Sequence, residues 1–283
     1  MFNAELSRAV EEFAALVLPL SKNDLEREWI WKEHDEEGIR FAFFVTLQEL
    51  RHLAVNLSTL RSKPTPAQHI LAQYHSAYMD LQAALFGLST DDADRAPAEG
   101  AWPVRRVYAH ILRAEINFTV TVRYALEKHR VGTWSPRGMS DEDAIRLVGM
   151  SVAEHDALLT GPLEGMLAYH RTFHPEITNE FGNITDSELD WPSTFWEETR
   201  FPIHHRLHRF DAHIAQHTIQ IDKTLVAIGQ APSESKRLMR KIYAALAEAE
   251  GMMIGAEKIE VAVTLETASS IAERTKEISG LLT

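Results

Sequence analysis

Apolar residues recur along most of this chain at intervals of three and four, the spacing that draws a single stripe down one side of a helix. Leu6, Val10, Phe13 and Val17 mark a first helix over 4–20, and Phe43, Leu47, Leu50, Leu57 and Leu60 a second over 39–61. A third, over 66–88, carries Ile70, Tyr74, Leu81 and Leu85, with Thr65 placed to cap it and Pro66 in its first turn. Pro103 opens a fourth that reaches about 128 and presents Val104, Val107, Tyr108, Ile111, Leu112, Phe118 and Val122 as one stripe. Ser140 with Asp143 resembles a capping box for the next helix, which bends or restarts at Gly161 and Pro162. Pro175, directly after His174, is expected to end the helix that follows, leaving a long aromatic-rich connection over 171–200. The stretch 201–229 is predicted as one uninterrupted helix, with Pro202 at its first position and Gly229 closing its far end. Helices over 233–252 and 256–281 finish the chain. The last contains IEVAVTLET, an alternating β-branched run that also suits a strand; with no second strand to pair it, helix is predicted. The expected class is all-α, with no sheet.

Within 201–229 the stripe is Ile203, Leu207, Phe210, Ile214, Ile221, Leu225 and Ile228. At ~100° per residue, His213 and His217 lie about 40° apart on one edge of it. Two imidazoles one turn apart beside a face that must be buried can grip one metal ion, and a third ligand must then come from elsewhere. The chain has 14 histidines, and other pairs share the spacing. His170 and His174 do, but their helix is expected to stop at Pro175; His204 and His208 do, but they project away from the stripe. The alternative for His213 and His217 is a pair of packed or solvated side chains. His110 flanks the stripe of the helix opened by Pro103, followed by Ala114 and Asn117, small enough to let a neighbouring helix approach. It too reads either as a ligand or as a histidine satisfied in the core. Glu115 falls near the middle of that stripe, where an unpaired carboxylate is costly, so a hydrogen-bond partner or a cation is expected beside it.

Composition narrows the chemistry. The 283 residues allow one large domain or two small ones, and a net charge of −12 gives a nucleic-acid partner no general support. The basic run KRLMRK at 236–241 reads as one solvated helix face. No apolar run approaches the ~18–20 residues that span a bilayer, and MFNAELSRAVEEF lacks a signal-peptide pattern. No membrane partner and a cytoplasmic location are therefore expected. The absence of cysteine excludes disulfides, a cysteine nucleophile and thiolate metal sites, so a bound metal takes nitrogen and oxygen ligands.

EGAWPVRRVYAHILRAE at 99–115 resembles the pattern of the DinB/YfiT-like superfamily, in which a Trp precedes a helix start and V-R-x-V-x-x-H-L-x-x-x-E follows. The resemblance covers about 66–229, and the later His-x-x-x-His, His213 and His217, completes with His110 the three-histidine metal site of that family. It implies an up-down four-helix bundle over 66–229 with additional N- and C-terminal helices, and a divalent metal, zinc or nickel first among candidates. Some members of the family are thiol transferases using mycothiol or bacillithiol. The resemblance therefore implies a low-molecular-weight thiol cosubstrate and a small-molecule substrate. One departure is Pro103, standing where family members carry Ser or Thr.

LSKNDLER at 20–27 parallels LSTDDADR at 88–95, and each leads to a Glu–Gly pair. Aligning those pairs sets Gln48 opposite His110, and glutamine cannot replace imidazole as a strong divalent ligand. Residues 1–62 plus 233–283 are accordingly expected to be flanking helices, either a degenerate second bundle or unrelated scaffold. Three functions stay open: a metal-dependent thiol transferase, a metal-dependent hydrolase, and a non-catalytic stress-related module with a structural metal. Glu115 is nominated for acid–base work, and Gln220, on the face of His213, as a group that orients a ligand. Trp191 and Trp196 are candidates either for a substrate mouth or for anchoring the connection. A homodimer is expected from the many amphipathic helices.

Overall fold

The computed structural model describes residues 3–136, 138–195, 199–256 and 261–283. The protein is all-α: among these residues there are thirteen helices, and the one sheet is a two-residue ladder. The chain divides into two compact units. One comprises 1–64, 79–87 and 231–283; the other, which carries the candidate site, comprises 65–78 and 88–230.

The first unit contains α1 (Ala4–Val17), α2 (Lys22–Leu25), α3 (Arg40–Leu60), the end of α4 (Pro66–Ala84), and, later in the chain, α12 (Glu234–Gly251) and α13 (Val261–Leu282). Asn3 caps α1, its Oδ1 accepting from the Glu5 and Leu6 amides. α3 packs on α12 and α13, and α1 packs on α13. Their stripes meet in a core of Val10, Phe13, Phe43, Leu50, Ile242 and Ile271. From Val261 onward the β-branched run is helical because burial selects that period: Thr264, Ala268, Ile271, Arg274 and Ile278 are buried at helical spacing, while 257–260, where this helix was expected to begin, lie outside the described residues. Arg240 of the basic run pairs with Asp80 at 2.5 Å.

The second unit begins with the earlier part of α4 and continues through α5 (Thr90–Asp94), α6 (Val104–Arg130), α7 (Asp141–Val148), α8 (Val152–Thr160), α9 (Leu163–Phe181) and α10 (Asp186–Leu189). It closes with β1 (Pro192–Ser193), β2 (Phe201–Pro202) and α11 (Ile203–Ala227). α6 lies against α11 and also packs on α7, α8 and α9.

The structure moves several of the boundaries expected from periodicity. The helix after Ser140 is two helices: Gly149 sits in the left-handed region at φ +76° and Ser151 starts a new capping box with Glu154. α9 runs through Pro175 to Phe181, because Phe173, Ile177 and Phe181 continue its buried stripe on both sides of the proline. The carbonyl that Pro175 cannot bond belongs to the exposed Arg171, where water can replace it. The connection expected over 171–200 therefore shrinks, and its remainder holds α10 and the small ladder, a sheet the periodicity did not foresee. Pro202 belongs to that ladder, opposite Pro192, and caps α11 instead of entering it. The far end of α11 closes as expected. Gly229 takes φ +82°, its amide reaches the Val226 carbonyl at 3.1 Å, and the Gln230 amide reaches the Leu225 carbonyl at 2.8 Å.

Candidate metal centre

The pairing of α6 with α11 brings His110 to His213 and His217. His110 Nε2 lies 3.2 Å from His213 Nε2, and the ring centroids of His110 and His217 are 4.7 Å apart. Each of the three residues offers a nitrogen within 4.8 Å of the others, so the group could hold a metal ion. His213 is buried, whereas His110 and His217 are half-buried. Trp102 meets His110 edge-on at 5.6 Å, and Phe118 meets His213 in the same manner at 5.8 Å.

His217 Nδ1 lies 2.8 Å from Gln220 Oε1. An amide oxygen only accepts, so Nδ1 donates, and in the neutral ring Nε2 keeps its lone pair. Burial, with His217, His110 and Arg209 nearby, pushes the His213 imidazole down to about 3. Burial, with His217 and Arg113, lowers His110 as well. Both rings are consequently neutral near pH 7, the state in which imidazole binds a metal.

The donor set fits a divalent ion: three imidazoles, with no acidic group needed to complete a tetrahedral or octahedral shell. His213 Nδ1 is buried without a hydrogen-bond partner among the described residues, so the protein alone does not satisfy this ring. Beside His110 and His213 opens a cavity of about 600 Å³, walled by Arg113, Phe118, Phe195, Phe201, Arg206 and Arg209 among others. Arg206 is buried, its Nε donating to Ser193 Oγ at 3.0 Å.

A family profile described as the DinB superfamily matches residues 73–221, more than half of the chain, and that span includes His110, His213 and His217. The chain belongs to the DinB superfamily. No curated protein and no solved structure gives a significant match.

Not every nominated residue of this DinB member joins the triad. Glu115 is absent from the cavity wall. It is fully buried and accepts from Tyr74 Oη at 2.6 Å, with His170 Nε2 2.9 Å away, which supplies the company its place in the stripe demanded. Trp191 stacks on His129 at 5.1 Å and holds the ladder by its backbone: its carbonyl accepts from the Ile203 amide at 3.0 Å. Trp196 lies outside the described residues.

Sequence reasoning set aside His170 and His174, both of which are fully buried on α9. Together with Glu115 they form a second group whose ligand atoms lie within 4.8 Å of one another. His75 joins them through Nδ1, 2.9 Å from His174 Nε2, and Tyr78 stacks on His174 at 3.9 Å. Their spacing of four is the signal in the sequence, masked by the proline that follows.

Proposed function

We propose that His110, His213 and His217 bind a divalent metal, zinc or nickel first among candidates, in a metal-dependent thiol transferase acting on a small anionic electrophile. The reading is carried by one juxtaposition: three converging imidazoles, two of which, His110 and His213, stand at the wall of a cavity that Arg113, Arg206 and Arg209 also line. A bound metal would supply Lewis acidity, lowering the pKa of a thiol, or of a water, held at that point. The chain's own groups do the rest. Gln220 holds His217 in the tautomer that turns Nε2 inward. The guanidinium groups attract and orient a carboxylate or comparable anion, and Phe118, Phe195 and Phe201 keep water from the apolar part of the substrate. Since the chain has no cysteine, the attacking sulfur comes from the cosubstrate.

The test is metal analysis followed by turnover with low-molecular-weight thiols and carboxylate-bearing electrophiles. His213→Ala should lose about one metal equivalent and bring turnover to background, with helix content unchanged. Metal and turnover both retained in that variant would overturn the assignment. A wild type that binds metal at these residues but is inert toward every thiol, and toward hydrolysable esters and amides, would leave the metal a structural role. Gln220→Ala should weaken metal affinity by about 10–100-fold, because His217 loses the group that fixes its ring. Competition against a chelator of known affinity measures this; equal affinities would show that the contact contributes nothing.

A further inference from the structure

We infer that Glu115, His170 and His174 form a second, wholly buried site for a divalent first-row transition ion, separate from the three-histidine group. The two sets share no residue. All three side chains are at 0 % exposure, and the atoms they offer converge within 4.8 Å. Two imidazoles with one carboxylate are a donor set suited to zinc and to iron(II).

The directions of the groups argue for an ion more than the distances do. Glu115 Oε2 and His170 Nε2 are 2.9 Å apart, yet they lack the alignment of a hydrogen bond, and neither atom has a hydrogen-bond partner among the described residues. An imidazolium paired with a carboxylate in a dry interior would aim its N–H at the oxygen. Two atoms that face a common third point would not. Ligands bound at about 2.1 Å and at right angles stand about 3.0 Å from each other, close to the observed separation.

Each of the three residues is also held from behind. Tyr74 Oη donates to Glu115 Oε1 at 2.6 Å, Tyr108 Oη meets His170 Nδ1 at 2.8 Å, and His75 Nδ1 meets His174 Nε2 at 2.9 Å. One assignment of protons satisfies all three of these contacts. His170 carries its proton on Nδ1 and donates to Tyr108, while His174 carries its proton on Nε2 and donates to His75 Nδ1. That leaves Nε2 of His170, Nδ1 of His174 and Oε2 of Glu115 as the inward atoms. A buried partner behind every ligand is the arrangement that fixes tautomer and ring direction in metal sites. Burial this complete means that the ion enters during folding and leaves only on unfolding.

The experiment uses full-length protein carrying His110→Ala and His217→Ala, which disables the other group at its two more exposed members. It is refolded from guanidinium with cobalt(II) or zinc(II), desalted in EDTA, and its metal counted. About one equivalent per chain is expected, resistant to EDTA in the fold and released by denaturant. No retained metal would overturn the proposal, whatever the fate of the three-histidine reading. In the same background Glu115→Gln and His170→Gln should bring the count to background with unchanged circular dichroism, and an undiminished count would also overturn it. Should those variants fail to fold, the count in the parent decides. Tyr108→Phe then adds a milder test: metal loss about 10–100-fold faster is expected, and an unchanged rate would count against the site.

Discussion

Arg274→Ala should lower the unfolding free energy by about 3–5 kcal/mol, the cost of breaking a buried ion pair from one side. Arg274 is fully buried. Its Nη2 is 2.7 Å from Glu49 Oε1, its Nη1 donates to Thr46 Oγ1 at 2.6 Å, and its guanidinium lies 4.8 Å from the centre of the Trp31 ring. Removing it leaves Glu49 with the Ser270 hydroxyl as a neutral donor and no other ion pair among the described residues, while Oε2 of the same carboxylate is already buried without a hydrogen bond. The arginine also fills volume that alanine does not, so a cavity adds to the cost. Denaturant unfolding measures the change. Arg274→Met with Glu49→Gln, which removes both charges and keeps the volume, should recover most of the loss. A single-variant loss below about 1 kcal/mol would show that water screens the pair as it does a surface bridge.

Phe210→Ala should cost a comparable amount, about 3–5 kcal/mol, through a different mechanism. Phe210 sits in an aromatic core on the buried face of α11, its ring 5.0 Å from Tyr74, 5.5 Å from Phe118 and 6.4 Å from Phe181. These neighbours come from α4, α6 and α9, each anchored by its own helix, so they cannot collapse onto the space left behind. Val226→Ala on the same helix, at a side chain 57 % exposed, should stay within about 0.5 kcal/mol. Equal effects at the two positions in denaturant unfolding would contradict the core assigned to α11.

The histidine triad was legible because α6 and α11 each bury one face. On such helices periodicity fixes which side chains stand at the edge, and His110, His213 and His217 all stand there. The family pattern then joined two stretches about a hundred residues apart, which no local spacing could do. What stayed hidden depended on tertiary contacts overruling a local rule. Pro175 breaks one backbone bond at an exposed turn, yet Phe173, Ile177 and Phe181 keep the helix intact on both sides. A proline at that point hides His170 and His174 as a buried pair. Glu115 showed the other half of the cluster from sequence, as a carboxylate in an apolar stripe, but nothing in the linear chain said that a tyrosine of α4 and a histidine of α9 would meet it. The break at Gly149 was hidden for a simpler reason: apolar residues fall at helical spacing before and after it.

His213, His217 and the Gln220 that bonds His217 all lie on α11, so two of the three imidazoles stand one turn apart whatever the neighbouring helix does. Only His110 arrives from outside. A slip of α6 by a single turn would present Ala114 or Arg106 in its place, one inert and the other repelling a cation. Whether the three imidazoles converge is therefore decided by the register of one helix against another, a geometric latch that a single packing change could open.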